Sequence, residues 1–418
     1  AFRLRQLTQF DKIWAALSKL SQPKAAAIVL SIGAVIWAAA WYRGNQVMIG
    51  DAQQGVAELR PEARYNQDAR LISSKFALGV DTMNVIVEAG PSACTTSYKA
   101  METIDRFAWH MANVEGVEQV ITLPMAAKLV NAGWNDGSLR WKILPRDPDT
   151  LRQATQSFET DSGLLNADCS AMPVTIFTKD HKSDTIDRIV AATKKFRTEN
   201  NAYQEGFVQK RNAAMEKAME NGEEYTTDQV NFRLATGPLG VQAATNDTVR
   251  EKEHLILWLL YGAVFVMCWI SFKSWRAALC VALPLMMVTE LGHSLMVQLG
   301  IGMKVNTLTV VALGVGIGVD YGIYIFARMR EAMIQGKTLS ESYFIALKTT
   351  GIAIFYTALT LAVGVAMWIF SDLKFQADMG VMLTFMFVVN MIAAIVFLPA
   401  LCRWLLRAKE KDDWVAHL

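Results

Sequence analysis

The sequence predicts a polytopic α-helical membrane protein with six transmembrane helices and an α+β domain inserted between the first and second spans. Three observations predict it. The composition is 52% hydrophobic and only 19% charged, with a mean hydropathy of +0.22. The apolar residues fall into six long runs, and one polar-to-mixed stretch of about 210 residues separates the first run from the other five. Soluble domains are about 25% charged, and ~18 or more residues with few charges can cross the hydrocarbon core as a helix. The runs are Ala25 to Tyr42, Leu255 to Phe272, Ala277 to Leu299, Val305 to Ala327, Thr349 to Phe370 and Met379 to Cys402. The expected division is an interfacial amphipathic segment (1–24), a first span (25–42), an extracytoplasmic α+β domain (43–254), a five-helix bundle (255–407) and a cytoplasmic tail (408–418).

Before the first span, Leu7, Phe10, Trp14 and Leu17 recur at helical spacing with basic residues between them, the pattern of a helix lying in the membrane interface. An unstructured basic tail is the plainer alternative. Lys and Arg concentrate in one set of short connections: Lys19 and Lys24, Lys273 and Arg276, Arg328 to Lys348, and Arg403 to Lys411. The opposite set holds only Lys304 and Lys374. The positive-inside rule then puts both termini in the cytoplasm and the large domain outside. The first residue is Ala rather than Met and no secretory leader precedes the first span, so the chain is expected to be part of a longer polypeptide.

In the inserted domain, Met83 to Ala89 and Val117 to Leu123 read as strands flanking a helix through Tyr98, Ile104, Phe107 and Met111. A second such unit runs from Val174–Thr178 through Thr185–Phe196 to Phe232–Ala235. Two βαβ units side by side predict a ferredoxin-like α+β sandwich. The charged, Ala- and Met-rich stretch between Gly206 and Asn221 reads as a projecting hairpin or partner contact, or as a solvated helix. Cys94 and Cys169 lie in the outward domain and are a candidate disulfide, with two free buried thiols as the alternative. Cys268, Cys280 and Cys402 fall in or beside membrane runs, and no Cys or His spacing suggests a metal site.

Several functions are set aside. Arg43 to His254 carries 24 Lys and Arg against 29 Asp and Glu, which argues against nucleic acid. Gly336-Lys337-Thr338 lacks the preceding glycine of a phosphate loop, Glu331 standing in its place. No hydrolase, zinc-protease or kinase motif occurs, so neither enzymatic turnover nor a cofactor is expected.

The remaining chemistry lies inside the membrane. The fourth run, VNTLTVVALGVGIGVDYGIYIFA, holds Asp320 in an otherwise apolar helix. A charge at mid-bilayer costs roughly 2.5 to 3.5 kcal/mol even on permissive scales, and such residues face the protein interior and mark function. A desolvated carboxyl that can load and release a proton is one reading; an Asp permanently paired with a cation is the other. Gly314, Gly318 and Gly322 form a smooth stripe that admits a close helix neighbour. Glu290 and His293 share a helix face, and either extend a proton path or reach interfacial water. Thr357 and Thr360 are placed to hydrogen-bond Asp320 or, alternatively, their own backbone.

The layout of one span, an exported domain and five spans, with GVGIGVDYG around Asp320 and Tyr321, resembles one half of a resistance-nodulation-division (RND) exporter, and within that superfamily the MMPL-type exporters. These also resemble sterol-sensing-domain proteins. FKSWRAALCVALPL and KFQADMGVMLTFMFVVNM strengthen the likeness to the C-terminal half of such exporters. The resemblance implies proton-motive-force-driven export of a hydrophobic or lipid-like substrate in a bacterial inner membrane. It also implies a proton relay at Asp320 and Tyr321, and a second homologous six-span half in the same polypeptide or a separate chain. Periplasmic or outer-membrane proteins are its expected further partners. A translocation subunit resembling SecD or SecF, and a lipid-sensing module without transport, are the alternative functions.

Overall fold

The computed structural model describes residues 12–52, 55–56, 58–76, 81–158, 160–222, 225 and 227–406. Leu7, Phe10 and the tail 408–418 lie outside them. The chain forms two compact units. One comprises residues 53–56 and 61–247; the other comprises the segments before and after them, with residues 57–60. In chain order the main elements are α1 (Pro23–Gly44), α2 (Arg64–Lys75), β1 (Asp81–Glu88), α3 (Tyr98–Ala112), β2 (Val117–Ile121), α4 (Leu123–Trp134), α5 (Pro148–Gln156) and β3 (Ala171–Thr178). Next come α6 (Ser183–Glu199), α7 (Phe207–Glu220), β4 (Asn231–Thr236), α8 (Pro238–Phe272), α9 (Trp275–Leu299) and α10 (Val305–Ile334). The last are α11 (Leu339–Ala346), a π turn (Leu347–Gly351), α12 (Ile352–Ala366) and α13 (Lys374–Leu405).

The sheet unit is built on strict alternation. Met83, Val85 and Val87 of β1 and Met172, Val174 and Ile176 of β3 are buried, while their neighbours are partly exposed. The register pairs Val85 with Val174 and Met83 with Ile176, so the two apolar rows share one face. The sheet is antiparallel throughout, in the order β2-β3-β1-β4. α3 offers Met101, Ile104, Phe107 and Met111, and α6 offers Ile186, Ile189, Val190 and Phe196, as apolar stripes at helical spacing. Phe107, Phe196 and Phe232 meet with ring centroids 4.6 to 5.5 Å apart, joining both helices to β4. Ser97 caps α3 by accepting from the Ala100 amide at 3.1 Å and donates to Asp228 at 2.6 Å. That hydrogen bond holds the Asp228 carboxyl below the usual carboxylate range. A disulfide joins Cys94, just before α3, to Cys169, just before β3, with Cα atoms 5.6 Å apart. The stretch from Gly206 to Asn221 is a single helix, α7, of which only Phe207 is buried.

In the helical unit, six helices are long and apolar enough to cross a membrane among the described residues. Pro23 sits in the first turn of α1, and Gly300, in the left-handed region, ends α9. The Lys304 amide donates to Thr307 at 2.7 Å, and Thr338 and Glu341 form a capping box on α11. α13 is central, packing on α1, α9, α10 and α12. Trp14 lies in a helical segment, 12–18, and is buried in the same core.

The boundary between the units differs from the expected 43–254 domain. Residues 43–52 and 248–254 belong to the helical unit. α1 continues to Gly44, and α8 is unbroken from Pro238, so the charged stretch before Leu255 is helix rather than domain edge.

Candidate functional site

α10 turns two contrasting faces outward from one backbone. Its glycine stripe is filled. A Cβ added at Gly314 would strike Met386, one at Gly318 would strike the Asn390 carboxamide, and one at Gly322 would press on Val281. The neighbours are therefore α13 and α9 of this same chain, whereas sequence reasoning sought the stripe's partner in a second half. Asn390 is buried, and its side-chain amide donates to the Gly314 carbonyl at 2.9 Å. A lone Asn in an apolar span is a signal the sequence carried, but the sixth run reads as Met-rich packing.

The other face is open. Asp320 is exposed in this chain, with Gly316 and Tyr324 one turn to either side also exposed. Nothing lies within 4 Å of a Cβ built on Gly316. Among the described residues Asp320 makes no hydrogen bond or ion pair. Tyr321, next in sequence, points about 100° away around the helix, into the core, where it is 2% exposed. Its hydroxyl finds no hydrogen-bond partner among the described residues. Asp320 and Tyr321 thus stand on different faces and do not bond to each other.

Thr357 and Thr360 lie on an exposed face of α12 and donate to the Ala353 and Tyr356 carbonyls, each at 2.8 Å. Each hydroxyl is spent on its own helix, the ordinary fate of Thr in an apolar helix, and neither reaches Asp320.

Glu290 and His293 sit one turn apart on α9, with Glu290 Oε2 3.8 Å from His293 Nδ1. They line a cavity of about 710 Å³ together with residues of α1 and α8, among them Trp37, Trp41, Glu253 and Trp258. Beneath it the Tyr261 hydroxyl donates to Thr289 at 2.6 Å, and Thr289 in turn donates to the Leu285 carbonyl. Gly44 of α1 faces the pair closely; a Cβ there would come within 3.1 Å of both Glu290 and His293. Sequence reasoning missed Glu253 because only the packing of α1, α8 and α9 brings it to Glu290 and His293.

At the start of α10, Lys304 pairs with Asp51, and Lys374 with Asp378 at 2.5 Å. Burial, helped by the charge of Lys374, pulls the Lys304 ammonium down to about 8.

Six apolar helices, with a small antiparallel sheet unit inserted in chain order between the first and second, define a polytopic helical membrane protein. Residues 60–414 match the model of the MMPL family, and the chain belongs to that family. A membrane protein of Methanocaldococcus jannaschii is 23% identical over 168 residues, which is 40% of this chain and 43% of that protein. The match thus spans less than half of that relative's length.

Proposed function

We propose that the chain is one half of a proton-driven exporter of a hydrophobic or lipid-like substrate, and that Asp320 is its proton carrier. The observation that carries this reading is the position of Asp320 on the open face of α10. Left to lipid, a carboxylate there costs roughly 2.5 to 3.5 kcal/mol. A second homologous half covering that face relieves the cost and creates a water-poor seam in which neutral and ionised states pack differently. Alternation between those states is what coupling to a gradient needs. Tyr321, on the neighbouring face with an open hydroxyl, acts after a rotation or shift of α10 rather than in the present arrangement.

In this reading the termini are cytoplasmic, the membrane is the bacterial inner membrane and the sheet unit is periplasmic, from the Lys and Arg asymmetry. The order β2-β3-β1-β4 with its two helices suits a ferredoxin-like porter subdomain, and the protein works as a transporter without enzymatic turnover.

The test is Asp320→Asn in proteoliposomes containing the assembled protein. The variant keeps the shape and most of the hydrogen bonding but cannot titrate. Folding and substrate binding should stay near wild type while export under an imposed pH gradient falls to the gradient-independent leak. Export at the wild-type rate would overturn the reading.

A further inference from the structure

The cavity between α1, α8 and α9 has a chemistry separate from the open face of α10. Its volume, about 710 Å³, lies within the range of small-molecule sites. Its carboxylates, Glu253 and Glu290, stand beside the polar side chains of Asn45, His254, Tyr261 and His293. Glu253 is 9% exposed and Glu290 partly buried, and both carboxylates accept hydrogen bonds when ionised. His293 is 6% exposed, and its Nε2 has no hydrogen-bond partner among the described residues. His293 Nδ1 lies 3.8 Å from the nearest Glu290 oxygen. The Tyr261 hydroxyl is already spent on Thr289. No Lys or Arg is among the described residues lining the cavity. Around these acceptors stand Trp37, Trp41 and Trp258, whose indole faces attract cations. They are 38%, 56% and 67% exposed, on surface that a membrane-spanning helix turns to lipid.

We infer that this cavity binds an amphipathic amine: a protonated, N–H-bearing headgroup seated between Glu253 and Glu290, with its apolar chain leaving past the tryptophans toward lipid. A quaternary ammonium satisfies the charge and the indole faces but brings no N–H donor to the carboxylates. A carboxylate amphiphile meets two like charges. The assignment names a substrate class for the transport reading and rests on that reading only for the movement of the bound amine across the membrane. Binding is measured with no gradient present, so its failure and the failure of proton coupling at Asp320 are separate results.

The experiment is equilibrium dialysis of radiolabelled dodecylamine, dodecyltrimethylammonium and dodecanoate against the full chain in neutral-lipid nanodiscs, with empty nanodiscs subtracting partition into lipid. Dodecylamine should bind saturably, about tenfold more tightly than dodecanoate and measurably more tightly than dodecyltrimethylammonium. Glu253→Gln and Glu290→Gln should each weaken the amine by about tenfold. The ranking of the three probes on the wild-type chain stands even if a variant fails to fold. Equal or tighter binding of dodecanoate, no saturable binding beyond empty nanodiscs, or amine affinity unchanged in both glutamine variants would overturn the assignment.

Discussion

The two faces of α10 are built from the same stretch of sequence and meet opposite surroundings. On one, Gly314 and Gly318 let Met386 and Asn390 come within 2.5 Å of where a Cβ would stand, and Gly322 lets Val281 come within 3.0 Å. On the other, Gly316, Asp320 and Tyr324 are left exposed, and one of them is a carboxylate. Small residues alone therefore do not distinguish an occupied face from an open one, since Gly316 and Gly318 are two positions apart in sequence. The difference is set by which neighbouring helix the chain itself supplies.

The contrast is most easily broken at Gly318. A leucine there must displace the Asn390 carboxamide and separate α10 from α13, so Gly318→Leu should destabilise the helical unit by about 3 kcal/mol. Thermal unfolding in detergent is the measurement, and an unchanged midpoint would show that α13 does not pack against this stripe. The opposite sign is expected across the helix. Asp320→Leu should make insertion of α10 more favourable by roughly 2.5 to 3.5 kcal/mol, read by a glycosylation-reporter assay on the span. No gain would mean that something other than a separate half shields the carboxyl. Replacing Asn390 by Leu removes one buried hydrogen bond to Gly314 and should cost about 1 kcal/mol, measured by the same melt. Gly316→Ala is the smallest effect and has the reverse sign. With open space at its Cβ position, the substitution should stabilise the isolated chain by about 0.5 to 1 kcal/mol through helix propensity. A loss at Gly316 equal to that of Gly318→Ala would erase the distinction between the faces.

Much of the fold was legible because it is encoded locally. Apolar runs announce spans, and period-two burial announces strands, so Met83, Val85 and Val87 were readable as one face before any tertiary contact was known. The start of the fifth span was less readable, since α11 in Leu339–Ala346 is separated from α12 by a π turn. Asp320 stood out as a carboxyl in an apolar run. Its direction did not: spacing gives the angle between Asp320 and Gly318 but not which of them meets α13. The cavity was hidden for the same reason. Glu290 and His293 are neighbours on α9, but Trp37, Glu253 and Trp258 join them only because α1 and α8 lie beside that helix. The sequence keeps no record of such adjacency.

The π turn at Leu347–Gly351 bears on how the fifth span tolerates changes in its length. One stripe of its buried positions is Tyr343, Leu347, Gly351, Ile354, Ala358 and Ala362, which advance 19 residues in five steps. A regular helix of 3.6 residues per turn accommodates about 18 in the same number of turns. The surplus of one residue is what a single wide turn holds, and it keeps the stripe from drifting around the helix. Removing one residue from this turn leaves a regular helix with both halves of the stripe still in phase. Adding one forces a second surplus residue into the same place, rotating Ile354, Ala358 and Ala362 by about 100° relative to Tyr343. The span is thus asymmetric toward length variation: shortening is absorbed where lengthening is not.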